Sequence, residues 1–174
     1  DVEVNVMIPP GASHSSYEPT ARQMNFLVNS QAYFKIGHLD FELSWMPRFT
    51  GVNPSMKVFD LSEGITLMKG NHSHHKEVSD SHNDEDEKGI DPHIWMSPGN
   101  VKIIASNILN SLLSLYPSDS SVFLSNYNSF IFQVDSIETL YKLNSTKLKG
   151  RSFIIYHPAL TYLARDYDMV QVVL

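Results

Sequence analysis

The sequence predicts an α/β protein built on parallel strands, and three observations carry this. Short β-branched or aromatic runs alternate with runs whose apolar residues recur at three- and four-residue steps. The connections between the strand-like runs are too long for hairpins, so successive strands are expected to lie parallel. Hydrophobic residues make up 42% and aromatics 11% of 174 residues. That is enough to bury a core, and too apolar for a disordered chain.

Taken in order, DVEVNVMIP alternates and reads as a strand ending at Pro9-Pro10. PGASHSSYEPT is a turn-rich loop. ARQMNFLVNS places Met24, Leu27 and Val28 on one face of a short amphipathic helix. AYFKIG is a strand closed by Gly37, and MKVFDLS is another. After a histidine-rich acidic run and DPHIWMSP, Ser97-Pro98 offers an N-cap and first-turn proline. Val101, Ile104, Ala105, Ile108, Leu109, Leu112 and Leu113 then carry a helix to about Tyr116. Pro117 breaks it. Ser118 or Asp119 caps a longer helix over about 118–143, with Phe123, Tyr127, Phe130, Val134, Ile137 and Tyr141 as a continuous apolar stripe. SFIIYH is a strand, PALTYLARDYD a helix and MVQVVL a strand.

Charge and composition narrow the function. The formal net charge is −6, which argues against nucleic acid as a partner, since that needs a basic face. Four of those charges belong to residues 71–89, where six acids face two lysines. With no cysteine, thiolate metal sites and cysteine nucleophiles are excluded. No stretch has the apolar length of a membrane-spanning segment. The chain opens at Asp1 without a methionine or a signal peptide, which reads as a processed or trimmed segment.

Eight histidines fall into distinct settings. His72, His74, His75 and His82 lie in the acidic, serine-rich run, without apolar anchors to hold them in one geometry. They are read as auxiliary, weak metal-capture groups in a mobile loop. A solvated insertion without function is the plainer alternative. His14, His93 and His157 each follow an apolar stretch and adjoin turn-forming residues. In open α/β folds, ligands collect beyond the carboxyl ends of strands. A lone histidine in such a place is more often a hydrogen-bonded surface residue, and His38 is read that way. Three together fit zinc, for which imidazole is a common ligand.

PPGASHSSYEPT, DPHIWMSP and FIIYHPALTYLARDYDM resemble, in this order, the three signature segments of the solute-binding proteins of zinc and manganese ABC transporters, a cluster that includes zinc-uptake binding proteins and lipoprotein adhesins. A His-rich acidic loop stands where zinc members carry one. Aligning Tyr17-Glu18-Pro19-Thr20 with the family's YEPT puts Ser15 at the family's histidine position and His14 one residue earlier, a shift that a loop absorbs.

The resemblance implies a two-lobed solute-binding fold with parallel sheets and a long connecting helix, its second lobe incomplete. Residues 1–117 would form the first, metal-binding lobe, including the His-rich loop at 71–89. Residues 118–146 would form the connecting helix, a spine reaching both lobes, and 147–174 the start of the second lobe. It implies one zinc ion held by His14, His93 and His157 where the lobes meet, a fourth ligand from outside this segment or from water, and no enzymatic activity. It further implies delivery of zinc to the membrane permease of an ABC transporter, from the periplasm or an extracytoplasmic, lipid-anchored position. Imidazole suits zinc better than manganese, and manganese members tend to carry a glutamate where His157 stands. The alternatives are a manganese-binding member of the same family, a surface adhesin, or a zinc-dependent hydrolase. No HExxH motif is present, and Glu18 and Asp91 read as turn residues. Because imidazole binds metal only when neutral, affinity is expected to fall as pH drops through about 6.5.

Overall fold

The computed structural model describes residues 2–14, 16–70 and 89–174. They fall into two compact units, Asp1–Leu61 and Ser62–Leu174. Both are α/β with parallel strand pairs, as the sequence predicts. The loop histidines His72, His74, His75 and His82, with the expected mobility of their segment, lie outside the described residues, as does Ser15.

In the first unit the order is α1 (Ala21–Val28), β1 (Ala32–Lys35), α2 (Asp40–Val52) and β2 (Lys57–Asp60). Thr20 caps α1 by accepting from the Gln23 N–H, and the Gln23 side chain accepts from the Thr20 N–H in return, a capping box. Leu27 is buried and Met24 half-buried as expected, but Val28 is 50% exposed. The carbonyls left over at the end of α1 are met from a distance. The buried Asn53 side chain donates to Leu27 and Ser30 at 2.8 and 2.9 Å. Strands β1 and β2 pair in parallel from Ala32–Lys57 to Lys35–Asp60, and the last pair closes with a 2.7 Å ion pair.

The sequence gives no clear signal for α2, because Pro47 stands in its interior. Phe41, Trp45 and Phe49 recur at four-residue steps, and Phe41 and Phe49 are 2% and 0% exposed. A helix-interior proline costs about 3 kcal/mol. Burying two phenylalanines returns about 3–6 kcal/mol, so the helix forms through the proline. Glu42, on the same helix, is buried and accepts from the N–H groups of Ile36 (3.0 Å) and Gly37 (2.7 Å), fastening α2 to the end of β1. Burial raises its carboxyl pKa, and those two bonds only partly oppose the rise.

DVEVNVMIP is not a strand. Val2, Val4 and Val6 are 49%, 80% and 65% exposed, with no ladder partner among the described residues. Alternation makes a segment compatible with a sheet, but the pairing itself is non-local.

The second unit holds α3 (Pro98–Leu115), α4 (Ser120–Ser145), β3 (Ser152–Ile155), α5 (Thr161–Asp166) and β4 (Val170–Val173). Ser97 caps α3 by accepting from the Asn100 N–H, with Pro98 in the first turn, as the sequence predicts. Helix α4 runs unbroken past Phe130 and packs on α3, where Lys102 reaches Asp135 and Glu138 at 2.5 and 2.9 Å. Its buried stripe differs from the predicted one. Phe123, Tyr127, Ile131 and Val134 are the covered apolar positions, while Phe130 and Ile137 are 45% and 50% exposed. Strands β3 and β4 pair in parallel from Ser152–Val170 to Ile155–Val173, with α5 as the crossover. No helix of the described residues is long and apolar enough to cross a membrane.

Candidate metal centre

His14 belongs to the first unit. It is half-buried in the loop before α1, and its carbonyl accepts from the Phe41 N–H at 3.3 Å. That N–H is one of the first-turn donors of α2, whose N-cap Leu39 offers no side-chain acceptor. Two residues beyond the undescribed Ser15, Tyr17 leans on Phe41 with ring centroids 5.9 Å apart and donates to Gln23 at 2.8 Å. The PPGASHSSYEPT segment is thus pinned at its histidine and again three residues beyond it.

His93 and His157 belong to the second unit and meet. Their Nε2 atoms are 3.0 Å apart, with the rings nearly perpendicular. His157 stands just beyond the carboxyl end of β3, the place where α/β folds gather ligands. His93 opens the short 3-10 turn Ile94–Met96 and is 2% exposed. Two nitrogens on a tetrahedral zinc ion, at about 2.0–2.1 Å from the metal, lie about 3.3 Å apart. The pair needs to open by only a few tenths of an ångström to straddle such an ion.

Asp91 fixes which nitrogen of His93 faces the pair. Its Oδ1 lies 2.6 Å from His93 Nδ1 and accepts from the His93 backbone N–H at 2.9 Å, the turn that Asp-Pro-His favours. Burial pushes the Asp91 carboxyl up. Bonds from the His93 ring, the Thr161 hydroxyl and the His93 N–H outweigh it, and the pKa settles below the usual carboxylate value. An ionised carboxylate only accepts, so Nδ1 carries the proton and Nε2 keeps its lone pair toward His157. Trp95 closes the other side of the ring, edge-on at 5.3 Å. Asp91, read from the sequence as a turn residue, is the group that orients the His93 ring.

Tyr162 is the second contributor without a sequence assignment. It is fully buried, donates to the Asp91 carbonyl at 2.8 Å and accepts from the Met68 N–H at 3.2 Å. Burial raises its phenol pKa, so the donor stays protonated. One helical turn on, Arg165 donates to the Thr66 carbonyl and to Asn100, its guanidinium 5.3 Å above the Tyr162 ring, and Asp166 accepts from Ser97. Helix α5 is thereby bound to the start of α3. Asn100 in turn donates to the Ile94 carbonyl at 3.0 Å, holding the turn that carries His93.

The chain is similar to proteins whose names describe zinc binding and zinc uptake. Zinc-binding protein AdcA of Streptococcus pyogenes serotype M3 is 26% identical over 99% of the chain and 35% of its own length. The high-affinity zinc uptake system protein ZnuA of Bacillus subtilis is 26% identical over 98% of the chain and 53% of its own length. Among solved structures, a zinc-bound ZnuA deletion mutant matches 99% of the chain and 61% of its own at 30% identity and a TM-score of 0.85. A manganese-bound periplasmic metal-binding protein from Candidatus Liberibacter asiaticus matches 97% of the chain and 59% of its own at 25% identity and a TM-score of 0.79. The names are those of binding proteins, not of enzymes. The chain spans about a third to about half the length of these curated relatives. Residues 1–174 match the family described as zinc-uptake complex component A, periplasmic, and the chain belongs to that family.

Proposed function

We propose that this chain carries the zinc-capturing part of an extracytoplasmic solute-binding protein, with His14, His93 and His157 holding one zinc ion. The observation that carries the reading is the 3.0 Å approach of two Nε2 atoms, one of them aimed by a buried carboxylate. Two imidazoles brought this close, with the tautomer of one fixed, form a bidentate nitrogen site that favours zinc over manganese. His14 supplies the third nitrogen. The fourth position is left to water or to a carboxylate from outside this segment. His72, His74, His75 and His82 act as auxiliary capture groups that raise the local concentration of zinc.

In the whole protein the segment forms a first lobe over 1–117, a connecting helix over 118–146 and the start of a second lobe over 147–174. That protein, periplasmic or lipid-anchored outside the membrane, passes its zinc to an ABC-transporter permease. Manganese is the second reading, favoured by the manganese-bound relative. Competition of zinc and manganese for the same protein at neutral pH separates the two. Zinc retention in excess manganese is expected, and displacement by equimolar manganese would overturn the zinc reading.

A further inference from the structure

Where the two ends of the 71–88 segment return to the body of the second unit, the chain forms a short antiparallel ladder. Lys69 bridges Ile90, the Gly70 N–H donates to the Gly89 carbonyl at 2.8 Å, and the Asp91 N–H donates to the Met68 carbonyl at 2.9 Å. In this register Met68 and Asp91 are the next opposed pair, of the kind that exchanges two hydrogen bonds. Asp91 N–H to Met68 O is the first. The second would run from the Met68 N–H to the Asp91 carbonyl, and Tyr162 stands in it. Its hydroxyl accepts from the Met68 N–H at 3.2 Å and donates to the Asp91 carbonyl at 2.8 Å. A phenol from α5 is thus inserted into the ladder at the first residue of the Asp-Pro-His turn.

We propose that Tyr162 is a positioning residue for the histidine pair: its hydroxyl, replacing one ladder bond, holds the Asp91–His93 turn at the distance from His157 at which their Nε2 atoms meet. This rests on the zinc-binding reading of that pair. The placement follows from connectivity. Tyr162 lies five residues after His157, on the helix entered directly from the His157-Pro158 turn. Asp91 lies two residues before His93 and holds its ring. The hydroxyl therefore joins the segment bearing one histidine to the segment bearing the other. The contacts of Arg165 and Asp166 fasten the far end of α5 to Thr66, Ser97 and Asn100; at the near end the Tyr162 hydroxyl holds the Asp91 backbone beside the Thr161 hydroxyl, which bonds the Asp91 carboxylate. Without the hydroxyl, either a buried carbonyl and a half-buried N–H go unsatisfied or Met68 and Asp91 close on each other directly. Closure draws the Asp91 backbone toward Met68 and moves the turn that carries His93. Both outcomes change the geometry of the pair while leaving every imidazole in place.

The test compares Tyr162→Phe with the parent, with Lys142→Ala as a control that breaks an exposed ion pair on α4, and with His93→Ala and His157→Ala. Zinc affinity is read by chelator competition, and ligand geometry by the visible absorption of the cobalt(II)-loaded protein. Tyr162→Phe is expected to bind zinc about 10–100-fold more weakly, the range for groups that orient a metal ligand. Its cobalt bands should shift in position or intensity, while Lys142→Ala keeps the parental bands. Parental affinity and parental bands in a folded Tyr162→Phe protein would overturn the inference, with the zinc reading intact if the histidine variants lose zinc. Parental zinc binding by both histidine variants would instead overturn the zinc reading. Should Tyr162→Phe not fold, amide exchange in the parent decides. One equivalent of zinc is expected to slow exchange at the Met68 N–H, and an unchanged rate there would overturn the inference.

Discussion

The Asp91 carboxylate lies 2.6 Å from Nδ1 of His93, and both residues are buried, at 0% and 2% exposure. A carboxylate held in its ionised form beside one ring nitrogen keeps the proton of a neutral imidazole on that nitrogen. In the neutral ring Nε2 of His93 is the acceptor, and His157 Nε2 lies 3.0 Å from it.

Replacing Asp91 with asparagine keeps the shape of the turn and removes the charge that fixes the proton on Nδ1. Zinc affinity is expected to fall about 10-fold or more in Asp91→Asn, and further in Asp91→Ala, which also loses the bond to the His93 N–H. Chelator competition at neutral pH measures both. Equal affinity in Asp91→Asn and the parent would show that the tautomer is fixed by something else.

The 71–88 segment can be removed without disturbing its ends, because the Gly70 N–H and the Gly89 carbonyl are already 2.8 Å apart. A two-residue Asn-Gly link closes such a ladder as a hairpin. The shortened protein is expected to hold one zinc ion with parental affinity and to lose any weaker, additional zinc. A large loss at the tight site would mean that His72, His74, His75 or His82 is a direct ligand there.

Glu42 offers a test of the first unit that is independent of metal. Its carboxylate accepts two backbone N–H groups, and Glu42→Ala strands both. The cost is about 2–4 kcal/mol in unfolding free energy, read from denaturant titrations. Its pH dependence has a definite sign. The pKa of Glu42 is raised in the fold, chiefly by burial, with the Asp60 charge adding to the rise and Lys35 and the bonds from Ile36 and Gly37 opposing it. The folded state therefore holds that proton more tightly than the unfolded chain. This contribution is complete below the ordinary value of 4.5 and is lost as pH rises through the raised one. The stability difference between the parent and Glu42→Gln is expected to shrink across that rise. A difference that grows with pH would contradict the assignment.

Much of this architecture is legible in the sequence wherever a local rule decides it. Ser97-Pro98 announces the start of α3, Pro117 its end, and the apolar runs of β1 to β4 their strands. Helix α2 is hidden because Pro47 speaks against it locally, while Phe41 and Phe49 argue for it only through contacts made in the core. On α4 the spacing finds the helix but not its buried face. An all-round scatter of apolar residues lets Ile131 point inward where Phe130 was expected. The histidines of the second-unit pair are legible from their strand-end and turn settings. Asp91 leaves a trace, since an aspartate two residues before a histidine can bond its N–H. Tyr162 leaves none. It meets Asp91 across 71 residues, through a backbone carbonyl that has no signature in the sequence.

The central claim is that one zinc ion is shared by His14, His93 and His157, and its most direct test is the zinc affinity of the three single alanine variants. Each is measured at neutral pH against a chelator, alongside a fold check by circular dichroism. His93→Ala and His157→Ala are each expected to lose most of the tight binding while staying folded, and His14→Ala to weaken it as the third ligand. Silence in His14→Ala alone would reduce the protein's nitrogen ligands to two. Parental affinity in both His93→Ala and His157→Ala would contradict the account.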